Sequence, residues 1–238
     1  MNQPSQKAAI ITGGSQGIGA SLVAAYRRQG WSVLATARTV QPTADPGVLT
    51  VSGDIADPAT AERIVSAALG RFGRVDTLIN NAGVFVSKPF TDYTAEDYAR
   101  VVGVNLSGFF WLTQRVIAEM LRQRGGHVVN ISAAIAEYAN SSSPSVLTAL
   151  TKGGLATATR SLAVEYASRG IRVNAVSPGI IQTPAYPAES YAGLGDQLPP
   201  LGHVGQVSDV VRGILFLEAS PFVTGEILHV DGGQAAGH

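Results

Sequence analysis

The chain has no cysteine among its 238 residues, which excludes a disulfide scaffold and any thiol nucleophile. It also has no charge of one sign to spare. Seventeen basic residues balance seventeen acidic ones, and no stretch clusters Lys and Arg between aromatics, so neither nucleic acid nor an anionic membrane is an expected partner. The first residues, Met1 to Lys7, lack the apolar centre of a secretory signal, and no apolar run is long enough to read as a bilayer span; a cytoplasmic location is the expectation. The four histidines, His127, His203, His229 and His238, have no metal-ligand spacing, and no metal is predicted. His127 and His229 read as structural, and His203 chiefly as a solvated residue.

What the chain does have is apolar material, 45% of its residues, enough for one α/β domain over residues 1–238. Strand-like and helix-like segments alternate with no linker or repeat, which predicts a parallel sheet covered on both faces. The pattern begins at Ala8 to Thr12, a strand-like run that feeds Gly13-Gly14-Ser15-Gln16-Gly17-Ile18-Gly19 and then a helix. Gly13 is placed to take backbone angles closed to other residues, Gly17 lets a phosphate approach the backbone, and Gly19 allows close packing. The helix start then offers free N–H groups and the positive end of its dipole to an anion.

Further along, Asp57-Pro58 reads as cap and first residue of a helix reaching Leu69. Strands are predicted at Trp31–Ala37, Val48–Ser52, Val75–Ile79, His127–Ile131 and Ile171–Val176. A long helical region from Thr94 to Arg124 carries a capping box of Thr94 and Asp97 and an interruption near Gly103. Val146 to Ser168 forms another helix, with Gly153, Gly154 and Ala156 as a small-residue face.

Five motifs in order then resemble one family. Thr12 to Gly19 is similar to T-G-x-x-x-G-I-G, and Asn80-Asn81-Ala82-Gly83 to N-N-A-G. Asn105 lies in Val104-Asn105-Leu106, Pro178-Gly179 precedes Thr183, and Thr224-Gly225 precedes Val230-Asp231-Gly232-Gly233. The chain resembles a compact short-chain dehydrogenase/reductase along essentially its whole length. That resemblance implies a doubly wound Rossmann-type α/β fold, a mainly parallel sheet of about seven strands, and a substrate lid at about 183–206 that includes Tyr186 and Tyr191. It implies a nicotinamide dinucleotide held by Gly13, Ser15, Gln16, Gly17, Ile18 and Gly19, by Asp54 and Ile55 at the adenine, and by Asn81, Ala82 and Gly83. Lys152, Pro178, Gly179, Ile181 and Thr183 would hold the nicotinamide end. A small-molecule substrate follows, as does a homo-oligomer, tetramer or dimer, built on the helices of Ser107–Arg124 and Val146–Ser168. For Gln16 and Asp54 the simpler reading is a polar helix start and a loop turn.

Two departures concern chemistry. Where NAD-preferring folds place an acidic residue at the end of the second strand, this chain has Ala37-Arg38; a guanidinium there suits a 2′-phosphate, so NADP(H) is expected over NAD(H), unless Arg38 is only a solvated charge. In the family a Tyr stands four residues before the Lys, on one helix face, and the ammonium lowers the phenol's pKa from about 10. Here Thr148 precedes Lys152 at that spacing. The family's Ser falls on Ala133, preceded by Ser132, in a segment longer than the usual spacing. The catalytic candidates are therefore Asn105, Lys152, Thr148 and Ser132, with Tyr138 as a phenol supplied from elsewhere or a packing residue.

Overall fold

The computed structural model describes residues 6–184, 191 and 198–237. Seven parallel strands form one sheet in the order β3-β2-β1-β4-β5-β6-β9. They are β1 (Ala8–Thr12), β2 (Ser32–Ala37), β3 (Val48–Ser52), β4 (Thr77–Asn80), β5 (Gly126–Ile131), β6 (Ile171–Pro178) and β9 (Ile227–Val230). The order runs outward in both directions from β1 and β4, and the reversal between them opens a crevice at the carboxyl ends of the strands, where such folds bind ligands. β7 (Ile181–Gln182) and β8 (Gly205–Gln206) make a separate small pair. β2 joins its parallel neighbour β3 through a loop with no helix.

Helices cover both faces because the strands are apolar on both. Ile10, Leu78, Val128 and Val173 pack under α2 (Pro58–Phe72), α4 (Gly108–Gln123) and α5 (Val146–Tyr166). Ile11, Val33, Ile79, Val129 and Val176 pack under α1 (Gly17–Arg28) and α6 (Val207–Ala219). Local signals set the helix ends. Asp57 caps α2 by accepting from the Ala59 N–H at 2.9 Å, and Gly73, in the left-handed region, ends it one turn beyond the expected Leu69. Thr94 and Asp97 form the expected capping box of α3 (Ala95–Val102).

Two expectations change here. The interruption expected near Gly103 is one wide π turn, Gly103–Ser107, that leads α3 into α4 without a break, so the backbone keeps its hydrogen bonds while one residue is inserted. The continuous helix Ala95–Gln123 is long and apolar enough to cross a membrane by length and composition, against the expectation that no run is. In the fold its inner residues Val101, Leu112, Val116 and Met120 are buried, the arrangement of a core helix. The second change concerns Ala156, which faces inward against Ala175 and Ile227 and leaves the expected small-residue face to Gly153 and Gly154.

Candidate active site

The glycine turn after β1 is built as a cradle. Gly13 and Gly17 have φ of +66° and +54°, in the region that favours glycine. A Cβ on Gly19 would stand 2.0 Å from the Gly13 carbonyl oxygen, so Gly19 is what lets α1 start flush against the turn. Thr12 and Asn81 support it from behind. The Thr12 hydroxyl accepts from the Asn81 and Ala82 N–H groups at 3.0 and 2.9 Å and donates to the Ile79 carbonyl, while Asn81 Nδ2 donates to the Thr12 carbonyl at 2.8 Å. Replacing Thr12 with Val leaves two backbone donors without their acceptor; a loss of about 1–3 kcal/mol of stability is expected in urea unfolding, and an unchanged midpoint would refute this role. Gln16 at the start of α1 makes no side-chain cap, and its first turn holds no acidic residue. The N–H groups there are left for an anion.

From this cradle a cleft of about 870 Å³ runs along the strand ends. It brings together Gly13, Ser15, Gln16, Gly17, Ile18, Gly19, Arg38, Asp54, Ile55, Asn81, Ala82, Gly83 and Thr183. The Thr183 side chain is the nearest group to a Cβ placed on Gly17, at 3.9 Å, so the two residues face each other across the cleft. At the far end, Arg38 is exposed on the loop after β2. Asp54 also makes the turn foreseen for it, accepting from the Ala56 N–H at 3.0 Å, and still lines the cleft. The wall opposite is α3, through Glu96, Ala99 and Arg100, and the π turn, through Val104.

At the other end, Gly83 meets a polar cluster. The π turn drives Asn105 inward to 2% exposure, where its amide clamps Val84 by accepting from the N–H at 2.9 Å and donating to the carbonyl at 3.1 Å. It also donates to Thr151 Oγ1 at 3.1 Å. Thr148 is buried and performs a similar task one residue pair on. Its hydroxyl accepts from the Val86 N–H at 3.3 Å and donates to the Val86 carbonyl at 3.4 Å. Ser132 turns toward α5 and donates to the Lys152 carbonyl at 3.1 Å. The Lys152 ammonium donates to the Ile131 carbonyl at 2.6 Å, and burial pushes its pKa down to about 8.

The family model described as Enoyl-(Acyl carrier protein) reductase matches residues 13–235. The chain is a short-chain dehydrogenase/reductase. It is 34% identical, in an alignment of 253 positions that covers 95% of its length and 97% of the relative, to 3-oxoacyl-(acyl-carrier-protein) reductase FabG of Thermotoga maritima. It is equally 34% identical to 3beta-hydroxysteroid dehydrogenase 1 of Eggerthella lenta, over 96% of this chain and 93% of that one. Among solved structures, ElxO with NADP bound superposes with a TM-score of 0.88 at 28% identity, covering 98% of this chain and all of that one. A short-chain type dehydrogenase/reductase from Mycobacterium marinum gives 0.90 at 29%, covering 98% and 97%.

Within this dehydrogenase/reductase the remaining expected residues fall as follows. Pro178 ends β6, and Gly179 donates its N–H to the Val230 carbonyl at 3.1 Å. A Cβ on Gly179 would meet Asp231 Cα at 2.7 Å, which accounts for glycine there. Ile181 and Thr183 are bridged by Tyr191, whose hydroxyl accepts from the Thr183 N–H at 3.2 Å and donates to the Ile181 carbonyl at 3.3 Å. Tyr186 and half of the expected lid lie outside the described residues. Tyr138 is half-buried beyond the short helical turn after β5 and does not line the cleft. His203 is solvent-facing, and among the described residues no group of side chains is suited to a metal. Arg100 went unforeseen. Its signal was the i, i+4, i+8 alignment of Glu96, Arg100 and Val104 on one helix face, which becomes legible only once α3 is known to border the cleft.

Proposed function

We propose that the protein is a cytoplasmic, NADP(H)-dependent oxidoreductase for a small carbonyl, imine or alcohol substrate, working through a catalytic centre that lacks the family's phenol. One observation carries the reading: a single cleft starts at an uncapped helix N-terminus and glycine cradle and ends where Gly83 meets Asn105 and Lys152. These residues fit a dinucleotide. The cradle would take the phosphates, Arg38 the 2′-phosphate, Ile55 and Val104 the adenine, and Thr183 the nicotinamide end. When bound, the cofactor supplies or accepts the hydride; the protein holds donor beside acceptor, which is worth up to about 7–11 kcal/mol, and a missing general acid subtracts about 10²–10⁴ in rate. ElxO is known both with NADP bound and as a tyrosine-to-phenylalanine form with NADPH bound, so in that relative dinucleotide binding accompanies the loss of a phenol.

The test is steady-state kinetics on ketones, imines and alcohols. Slow ketone reduction is expected from the wild type. Thr148→Tyr combined with Ala133→Ser should raise it, because Asn105 and Lys152 already stand beside the restored phenol; the gain must outweigh release of the Val86 clasp. A second reading, a dinucleotide-binding or partner protein without turnover, is favoured by the internal hydrogen bonding of Thr148, Ser132 and Asn105. NADPH binding without turnover of any substrate decides for it, and product formation without net cofactor oxidation would mark a non-redox enzyme.

Cofactor choice is tested separately. Arg38→Ala should weaken NADPH roughly tenfold or more while leaving NADH nearly unchanged, read by fluorescence titration; unchanged selectivity would make Arg38 a surface charge. We also propose assembly as a dimer or tetramer through α4 and α5, whose outer faces hold an apolar depression of about 410 Å³ between Phe110, Trp111, Gly154 and Ala158. Light scattering showing only monomer at micromolar concentration would refute it.

A further inference from the structure

Resting on the oxidoreductase reading, we propose that Lys152 is itself the proton donor of this centre, delivering an ammonium proton to the oxygen of a carbonyl substrate. The argument starts from what the other polar groups already do. The Thr148 hydroxyl is committed in both directions to Val86, Ser132 donates to the Lys152 carbonyl, and the Asn105 amide clamps Val84 and donates to Thr151. Each would have to abandon a backbone partner in order to act. Lys152 has three N–H bonds, and the Ile131 carbonyl takes one.

Its ammonium also faces the right place. A Cβ on Gly83 would lie 3.0 Å from Lys152 Nζ and 3.5 Å from Asn105 Oδ1. Gly83 lines the cleft and Lys152 does not, so Gly83, bare of a side chain, is what stands between the ammonium and the cleft. Burial brings the pKa to about 8, near the pH at which a general acid works best.

The step balances. As the carbonyl carbon accepts hydride, a C–H bond forms and the C=O π pair moves to oxygen. One Lys152 N–H bond breaks and its proton forms the O–H bond. The products are the alcohol, the oxidised dinucleotide and a neutral amine, which regains its proton from water. In the family's arrangement the lysine serves a phenol; here it would take over the transfer.

Three measurements test this on the full-length protein. The kcat for ketone reduction at saturating NADPH should fall as pH rises through about 8. Lys152→Arg keeps the positive charge but cannot act as an acid, and it should lose about 10²–10⁴ in kcat. The third readout is independent of turnover. The sequence has three lysines, Lys7, Lys88 and Lys152, so the Lys152 line in a ¹³C-lysine spectrum of the NADPH-bound protein is assigned by elimination, with Lys7→Arg and Lys88→Arg. The Lys152 resonance should titrate with the midpoint of the kcat limb. If Lys152→Arg fails to fold or to bind NADPH, coincidence of those two wild-type midpoints decides the matter.

A kcat that is flat from about pH 7 to about pH 9, or a Lys152 midpoint separated from the limb, overturns the proposal and leaves the oxidoreductase reading intact. So does a Tyr138→Phe or Tyr191→Phe variant that abolishes turnover while Lys152→Arg retains it. NADPH binding with no carbonyl reduced at any pH overturns both.

Discussion

Gly19→Ala is expected to lower NADPH affinity at least ~100-fold, about 2.8 kcal/mol, and to lower the melting temperature as well. The new methyl carbon would stand 2.0 Å from the Gly13 carbonyl oxygen, 2.7 Å from the Gly13 carbonyl carbon and 2.7 Å from Asn81 Nδ2. Two of these are backbone atoms of the phosphate turn itself. Relief therefore requires the turn to move away from α1, the geometry the anion depends on, at an overpacking cost of about 1–3 kcal/mol or more. Gly153→Ala is the matched control. Nothing lies within 4 Å of a Cβ there, and alanine is favoured over glycine inside a helix by up to about 1 kcal/mol. Fluorescence titration and thermal melts of both variants make the comparison. An affinity within a few-fold of wild type for Gly19→Ala would show that the turn is far more compliant than its contacts imply.

Glu218→Ala should destabilise the fold by several kcal/mol, since three buried donors lose their acceptor at about 1–3 kcal/mol each. The carboxylate lies at the opposite, amino-terminal end of the strands. It accepts from the Tyr26 hydroxyl at 3.0 Å, the Thr77 hydroxyl at 2.9 Å and His127 Nδ1 at 3.1 Å, tying α6 to α1, β4 and β5. The imidazole is neutral. Asn174 Nδ2 approaches His127 Nε2 at 3.1 Å, and the Asn174 amide is oriented by accepting from the Glu226 N–H and donating to the Val223 carbonyl. Arg172 adds a cation beside the same ring nitrogen at 3.4 Å. Nε2 therefore accepts, and Nδ1 carries the hydrogen that Glu218 receives.

The same contacts set a pH dependence. Burial, chiefly, holds the His127 pKa below its ordinary 6.5, so as pH falls through 6.5 the unfolded chain takes up a proton that the folded one refuses, and stability is lost. For Glu218 burial alone would raise the pKa, but the hydrogen bonds from His127, Thr77 and Tyr26 prevail and hold it below 4.5. Its contribution is complete above 4.5 and is lost as pH falls through the folded value. The melting temperature should decline from about pH 7 toward pH 5, and His127→Gln should flatten that decline. A melting temperature independent of pH across this range would contradict the assigned protonation.

Much of this was legible in local sequence because the signals are local in origin. A glycine turn between a strand and a helix needs only the backbone freedom of Gly13 and Gly17, and Asp57, Thr94 and Asp97 cap helices through atoms two or three residues away. The part of the cleft lined by strand ends and the turns that follow them was legible for the same reason, whereas the wall from Glu96, Ala99 and Arg100 was not. What was not legible depended on a partner distant in sequence. Asn81, expected to hold the dinucleotide, also braces the glycine turn, through backbone groups 69 and 68 residues away. Ala156 was placed on an open face and packs against β6 and β9. The expected break at Gly103 is a π turn because the surrounding core favours keeping the helix whole while swinging Asn105 inward.

The sequence by itself determined the alternating α/β order, the glycine turn, the absence of an acid after β2 and the presence of a threonine, Thr148, four residues before Lys152, since each is a matter of residue type and short spacing. Only the tertiary structure decided what Thr148 touches. A threonine hydroxyl next to solvent and one clasping the Val86 backbone, 62 residues away, are the same letter in the chain. Their difference arises from the packing of α5 against the loop after β4. Burial and hydrogen-bond partners are collective properties of the folded chain, and they alone distinguish a committed hydroxyl from a lysine ammonium held beside the cleft.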